Sequence, residues 1–396
     1  MPTFRFHLWN LYQDFFINSE VFKFNLRSVE SKRRHFLHKN QHGETPEENT
    51  NNIYIQEEIN TYMSILPNLV KDLTGGSMYQ EDFEIARRFA NVLEYNTRNS
   101  RKLYSFITIA LYKLMEDPNE LTDGNVRLAN ILGWCAELLL TASLIGDDII
   151  DSSKMRRGLP CWYLIKDVGM KAINDAMWIE NGIYVILRKY FKNHHHYLPI
   201  IELLHEAMHN IMVGQTLDTL TMRDGVPQLS TFTFNTYSSI VKYKTGTLFT
   251  FPAGLALYLK SCYDQHLHKD IHNLFLKIGH YFQVQNDYFD CFGDSTIMGK
   301  NGTDIECGKC TWLIVEALKR VSQQQRNVLE INYGKPSPEK VNAVRTLYEE
   351  LNLPKVYTSY QDDIFYELQN HIKKMSPTLP REFFYNVVHS IYELKG

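Results

Sequence analysis

Two acidic clusters stand far apart in the chain: Asp147-Asp148-Ile149-Ile150-Asp151, and Asn286-Asp287-Tyr288-Phe289-Asp290 with Asp294 just beyond. Each follows a stretch of helical character. Positions i and i+4 of a helix share a face, so Asp147 and Asp151 point together, as do Asn286, Asp290 and Asp294. Carboxylates that close repel one another unless a cation lies between them. Mg2+ takes oxygen ligands and is usually held by one or two carboxylates plus substrate phosphates, which two facing acidic helices can supply. The expected metal ligands are Asp147, Asp148, Asp151, Asn286, Asp287 and Asp290, and the expected substrate is a diphosphate.

An isolated acidic cluster is ordinarily a solvated helix end, but here the surroundings differ. Ile131 to Gly146 is almost wholly apolar, with Glu137 its one charge, so the first cluster closes a buried helix. Counter-charges follow as Lys154, Arg156 and Arg157, with a second basic set at Lys244, Lys300 and Lys309. Planar arginine forks and lysine point charges beside a Mg2+ cluster suit a diphosphate anion.

The elements that must position these groups read as helices. Ser337-Pro338-Glu339 has the pattern of an N-cap, a first-turn proline and a first-turn acid, ahead of Val341, Val344, Leu347 and Leu351 on one face. Breaks such as Arg223-Asp224-Gly225-Val226-Pro227 separate such segments. Neither βαβ alternation nor a glycine-rich phosphate loop is visible, so the fold class is all-α. Residues 40–52 are polar and rich in turn formers, giving a division into an N-terminal extension and linker (1–52) and one helical domain (53–396).

The chain has 396 residues and a net charge of -3, which argues against a nucleic-acid partner. Cys135, Cys161, Cys262, Cys291, Cys307 and Cys310 read as reduced thiols, since Cys307 and Cys310 lack the second pair of a zinc site. No apolar run reaches the roughly 20 residues of a membrane span, so a soluble protein is expected. The basic bias of the first forty residues is interrupted by Asp14, Glu20 and Glu30, giving a cytoplasmic expectation with mitochondrial import as the alternative. His194-His195-His196 lies in a polar break and reads as a solvated loop.

Six segments resemble the farnesyl diphosphate synthases, within the isoprenyl diphosphate synthases, and occur in that family's order from about Tyr62 onwards. They are LGWCAELL (132–139), DDIIDSSKMRRGLPCWY (147–163), GQTLD (214–218), YKTG (243–246), FQVQNDYFDCFGD (282–294) and GKNGTDIECGKCTWL (299–313). The resemblance implies a homodimer, each chain a helical bundle around a central cavity, with three Mg2+ ions and a diphosphate at the cavity mouth. It implies that Arg156, Lys244 and Lys300 grip the allylic diphosphate, that Lys309 and Gln215 also contact substrate, and that Arg157, with Arg101, is what remains of a second basic pocket. Thr245 and Gln285 would lie near the reacting carbons and Phe282 would line the cavity.

The departures from the pattern set the functional expectation. The family's second basic pocket, for isopentenyl diphosphate, uses a Gly-Gly-Lys-x-x-Arg-Gly stretch, whereas this chain reads Asn99-Ser100-Arg101-Lys102-Leu103-Tyr104-Ser105. Tyr104 replaces the arginine, Leu140 a glutamine, and Tyr392-Glu393-Leu394-Lys395-Gly396 a basic tail. An enzyme that ionises its substrate but holds no acceptor makes a cation that its own double bonds must trap, as in the insect terpene synthases that the chain also resembles. The expected activity is therefore a Mg2+-dependent terpene synthase, a lyase making a diterpene or sesquiterpene such as a volatile signal. The alternatives are a prenyl elongase and a non-catalytic partner subunit. Ala142 and Ser143 stand where the family has bulky floor residues, which opens the cavity towards geranylgeranyl diphosphate, with farnesyl diphosphate close behind.

Overall fold

The computed structural model describes residues 57–75, 83–294 and 302–394. The expected extension and linker at 1–52, and Lys300, lie outside these residues. Three helices, α1 (Leu66–Thr74), α2 (Phe83–Arg98) and α3 (Leu103–Met115), precede the long α4 (Asp123–Ile150). After α4 come α5 (Lys171–Phe191), α6 (Tyr197–Thr219), α7 (Phe234–Val241), α8 (Thr247–Leu259) and α9 (Gln265–Phe292). The C-terminal part adds α10 (Asp304–Cys307), α11 (Trp312–Leu318), α12 (Gln323–Asn332), α13 (Pro338–Glu350), α14 (Leu353–Lys374) and α15 (Arg381–Tyr392).

Helix α4 starts at Thr122, whose hydroxyl accepts the Asn125 N–H at 3.2 Å. Its residues from Ala129 to Ala142 are buried on every face, so neighbours must cover it all round. Helices α3, α5 and α8 do so. The expectation that no segment is apolar enough to span a bilayer is corrected here: α4 has the length and composition, but most of its apolar window lies inside the bundle. Helix α8 carries no charged residue and packs against α3, α4, α6 and α9, which places it at the centre.

A π-helical turn, Lys242–Gly246, joins α7 to α8. Such turns insert a residue into a helix and rotate the side chains beyond it to a new bearing. Two glycines let neighbouring helices close on it. A Cβ on Gly214 of α6 would lie 2.5 Å from the Lys244 nitrogen, and one on Gly279 of α9 would lie 2.9 Å from the Gly246 Cα. The backbone carrying Lys244 and Thr245 is thus clamped between α6 and α9.

The helices are interrupted by two small antiparallel ribbons. Met155–Arg156 pairs with Leu159–Pro160, and Met222–Arg223 with Val226–Pro227. The turn residues Arg157 and Gly158, like Asp224 and Gly225, have positive φ, the geometry of two-residue hairpin turns that match strand twist. The expected break at 223–227 is the second of these ribbons. In α13, Pro338 opens the helix as expected and Val344 and Leu347 are buried, but the Ser337 side chain makes no capping hydrogen bond.

Candidate active site

Acidic residues sit at the carboxyl ends of three helices: Asp147 and Asp148 on α4 with Asp151 just beyond, Asp218 on α6, and Asp287 and Asp290 on α9. Unpaired carbonyls already make a helix C-terminus partly negative, so each acid there adds to an unfavourable potential unless cations answer it. Lys244 does so from the π turn, with Nζ 2.8 Å from Asp147 and 3.3 Å from Asp218. Lys309 pairs with Asp151 and lies 3.8 Å from Asp218. Arg156, on the first ribbon, reaches Asp148 at 2.6 Å and Asp147 at 3.2 Å.

The charges shift one another strongly. Burial acts to raise the Asp147 carboxyl, but Lys244, Lys309 and Arg156 outweigh it and hold it below the usual carboxylate range. Burial and the neighbouring Asp147 push Asp151 up, with Lys309 opposing. Despite burial, Asp147 and Asp218 keep Lys244 above its ordinary value, and Asp218, Asp147, Asp151 and Asp304 do the same for Lys309. These groups form one electrostatic unit. Asp218 was not singled out from the sequence, although it closes the GQTLD segment.

The other expected ligands divide by environment. Buried Asp287 accepts hydrogen bonds from the Trp312 backbone at 2.8 Å and from Gln283 at 2.7 Å. Asp290 accepts the Asp304 backbone N–H at 2.9 Å. Both therefore tie α9 to the segments that carry Asp304 and Lys309. Asp148 is likewise engaged, with Arg156 and the Cys161 thiol. Half-buried Asn286 shares a helix face with Phe282. Asp294 does not share it, because α9 ends at Phe292 and Gly293 is extended.

Thr245 donates to the Gln283 side-chain oxygen at 2.6 Å. Gln285, expected beside the reacting carbons, is buried elsewhere: its amide donates to the Ile391 carbonyl on α15 at 2.7 Å. Two residues on a helix turn through about 200°, so the two glutamines face opposite ways. Gln215 lies three residues before Asp218 on α6, and its buried side-chain nitrogen has no hydrogen-bond partner among the described residues. A buried donor in that condition fits an acceptor oxygen supplied by a substrate. Ser143 stands one turn before Asp147 with its hydroxyl turned back to the Leu139 carbonyl at 2.9 Å, and Ala142 is buried.

A second basic cluster lies where the sequence departs from the synthase pattern. Lys102, which the motif spacing does not single out, has left-handed backbone at the start of α3. Its buried ammonium is 3.5 Å from Glu137 and 5.2 Å from the Trp134 ring centre. Burial pushes it down to about 8 against the pull of Glu137. Arg157 lies 3.7 Å from Glu137 and donates to the Asn96 carbonyl at 2.7 Å. Arg101 is lowered by burial and by Arg157. Neither Glu137 oxygen makes a hydrogen bond among the described residues. Lys102 and Arg157 thus share one buried carboxylate, with the exposed Arg101 beside Arg157, a concentration of positive charge suited to an anion. Burial, and next Glu137, raise the Tyr104 phenol, so it stays an O–H donor there. Its ring meets Phe249 edge-on at 5.3 Å, and Phe249 meets Phe282 at 5.2 Å.

The oxygen donors Asp147, Asp151 and Asp218, at convergent negative helix ends, fit a hard divalent ion such as Mg2+. The profile of the polyprenyl synthetases matches residues 86–351, two thirds of the chain. The chain belongs to the polyprenyl synthetase family. Farnesyl pyrophosphate synthase of Murgantia histrionica is 36% identical over 335 residues, covering 84% of this chain and 82% of that protein. The corresponding enzyme of Gallus gallus is 36% identical over 347 residues, covering 87% and 95%. A solved structure of Trypanosoma brucei farnesyl diphosphate synthase with a bisphosphonate superposes with a TM-score of 0.78 at 26% identity, covering 85% and 98%. The all-α isoprenoid synthase fold expected from the sequence is thus this polyprenyl synthetase's fold.

These relatives are named for making a prenyl diphosphate, which overturns the terpene synthase expectation. The lyase assignment and the expected diterpene, sesquiterpene or signal product fall with it, in favour of the elongase alternative and a transferase. The departures at Tyr104 and Leu140 misled because they count lost side chains one by one. The pocket's charge is also carried by Lys102, which such a count leaves out.

Proposed function

We propose that this polyprenyl synthetase is a Mg2+-dependent prenyl diphosphate synthase that joins an allylic prenyl diphosphate to isopentenyl diphosphate. The observation that carries this reading is the presence of two separate cationic sites. Lys244, Lys309 and Arg156 stand at the acidic helix ends, and Lys102 and Arg157 flank Glu137 with Arg101 beside Arg157. Two diphosphates need two such sites, and a lyase needs one.

Asp147 and Asp151, with Asp218 and Asn286, would hold the ions, three in the reading taken from the family. Bound Mg2+ supplies charge neutralisation for the departing diphosphate. Lys244, Lys309 and Arg156 turn from their carboxylates to the diphosphate oxygens and stabilise the negative charge that develops as the allylic C–O bond breaks. Gln215 adds a hydrogen bond to the same anion. The Thr245 hydroxyl and Gln283, linked to each other, flank the cationic carbon, while Phe249 and Phe282 keep water from it. The second cluster positions isopentenyl diphosphate, with the Tyr104 O–H as a neutral donor. Its double bond forms the new C–C bond, and the proton lost passes to the released diphosphate. The chain acts as a homodimer in this reading.

The test is product analysis with geranyl or farnesyl diphosphate, each with and without isopentenyl diphosphate, in Mg2+. A longer prenyl diphosphate is expected only when both substrates are present, and EDTA should abolish it. Absence of an elongated diphosphate from every pairing would overturn the reading.

A further inference from the structure

The three histidines of the α5–α6 connection remain outside this chemistry. They occupy the turn between Phe191 and Tyr197, and one ring nitrogen from each lies within 4.8 Å of the others. His194 stacks on His195 at 4.4 Å, and His195 is tilted against His196 at 4.1 Å. The sequence suggests a solvated loop without partners. Only His195 of the three is exposed, and the other two are half-buried against the end of α8.

Their orientation comes from backbone carbonyls. The His196 Nδ1–H donates to the Tyr258 carbonyl at 2.8 Å, which fixes the tautomer and leaves Nε2 with a free lone pair. The His194 ring donates to the Leu259 carbonyl. Its Nδ1 accepts a 3.2 Å bond from the His196 amide, which a stronger ligand could displace. A ring N–H held by a carbonyl is the arrangement that orients metal-binding histidines. Bonds of about 2.1 Å at tetrahedral angles put ligand atoms about 3.4 Å apart, so binding an ion needs rotation of the exposed His195 ring and a small inward shift of the other two.

We propose that His194, His195 and His196 form a site for a borderline divalent transition ion, of which Zn2+ is the type, tying the α5–α6 connection to the carboxyl end of α8. Imidazole donors select such ions, and carboxylates select Mg2+, so the two sites discriminate by donor type. They lie towards opposite ends of the bundle. His268, whose ring packs against Tyr258 beside the histidines, is near the start of α9, and Asn286 is near its end; a helix of this length spans about 42 Å. The ion therefore acts on stability, apart from catalysis.

The test uses the full chain without an affinity tag, in Mg2+ sufficient to saturate the acidic site. Titration with Zn2+ by calorimetry should show one saturable site per chain, and Co2+ should give the visible absorption of nitrogen coordination. Zn2+ should raise the melting temperature by about 2 °C, as expected from modest occupancy linkage in a protein of this size. His195→Ala, at an exposed position, should fold normally, bind Zn2+ at least tenfold more weakly and lose that shift. Absence of saturable Zn2+ binding would overturn the proposal. So would binding unchanged in His195→Ala, or binding lost instead in Cys262→Ser, which would place the ion on the exposed thiol of the neighbouring loop.

Discussion

Arg156 and Arg157 are adjacent in the chain yet face different carboxylates: Arg156 Nη2 lies 2.6 Å from Asp148, and Arg157 Nη1 lies 3.7 Å from Glu137. The ribbon causes the divergence, since Arg156 ends its first strand and Arg157, with φ of 56°, begins the turn. One peptide unit, about 3.8 Å between Cα atoms, thereby joins the two cationic sites. Arg157→Ala should raise the KM for isopentenyl diphosphate about 10- to 100-fold, the worth of a charged hydrogen bond, and leave the allylic KM unchanged. Arg156→Ala should lower kcat. Steady-state kinetics with each substrate varied in turn would separate the two, and equal effects on both substrates would contradict the division.

Asp218 bridges Lys244 and Lys309 without belonging to either acidic cluster. Asp218→Ala should reduce Mg2+ affinity or turnover about 10- to 100-fold with the fold intact, in line with loss of a supporting carboxylate. Activity titrated against Mg2+ concentration measures this.

Gln283 and Gln285 should separate rate from stability. Gln283→Ala removes the partner of Thr245 and of Asp287 and is expected to lower kcat. Gln285→Ala removes the buried side-chain bond to the Ile391 carbonyl, which keeps the Leu394 N–H, and should cost about 0.5–1.5 kcal/mol of stability while sparing kcat. Turnover paired with chemical denaturation distinguishes them.

In the proposed acceptor site, Lys102 should set a pH dependence. Its ammonium, pushed down to about 8 by burial, loses its proton above that value, so kcat/KM for isopentenyl diphosphate should fall as pH rises past about 8. Lys102→Arg should flatten this alkaline limb. Stability changes in the opposite sense. The unfolded chain keeps this proton to its ordinary 10.5, so between about 8 and 10.5 it binds more protons than the folded one, and Lys102's contribution to folding stability rises with pH. Denaturation midpoints of wild type and Lys102→Met over that window provide the check.

Asp175 anchors the turn that directly follows the ribbon. Fully buried, it takes Arg88 at 2.6 and 3.1 Å and the Trp162 indole N–H at 2.9 Å. Asp175→Ala leaves that indole unpaired and strands part of the guanidinium, and should cost about 2–4 kcal/mol, read as a shift in the urea midpoint. Arg156 rides on the same ribbon, so turnover should fall as well.

The all-α architecture and the first acidic cluster were legible because both rest on helical periodicity. Asp147 and Asp151 lie one turn apart at the end of an apolar run, and no alternative packing hides them. Asp218 was harder to see, as a single carboxylate whose partners sit 26 and 91 positions away in the chain. Lys102 was invisible for another reason: its burial follows from a left-handed backbone angle at the start of α3, which no spacing rule announces. Gln285 was placed on the wrong side of α9 because a motif gives an order of residues and not a helical phase. Asp294 failed in the same way, since the end of α9 lies between it and the face it was expected to share.

The π turn at Lys242–Gly246 makes 234–259 one continuous rod containing a single surplus residue. Lys244 and Thr245 owe their bearing to that surplus, which also makes the segment sensitive to length as distinct from composition. Removing one residue would let the rod relax to regular winding and swing everything on one side of the deletion by about 100°. Either Lys244 would leave the carboxylates or the apolar face of α8 would leave the core. Relatives that retain the chemistry should therefore tolerate exchanges of side chain along this rod and almost no change in its residue count.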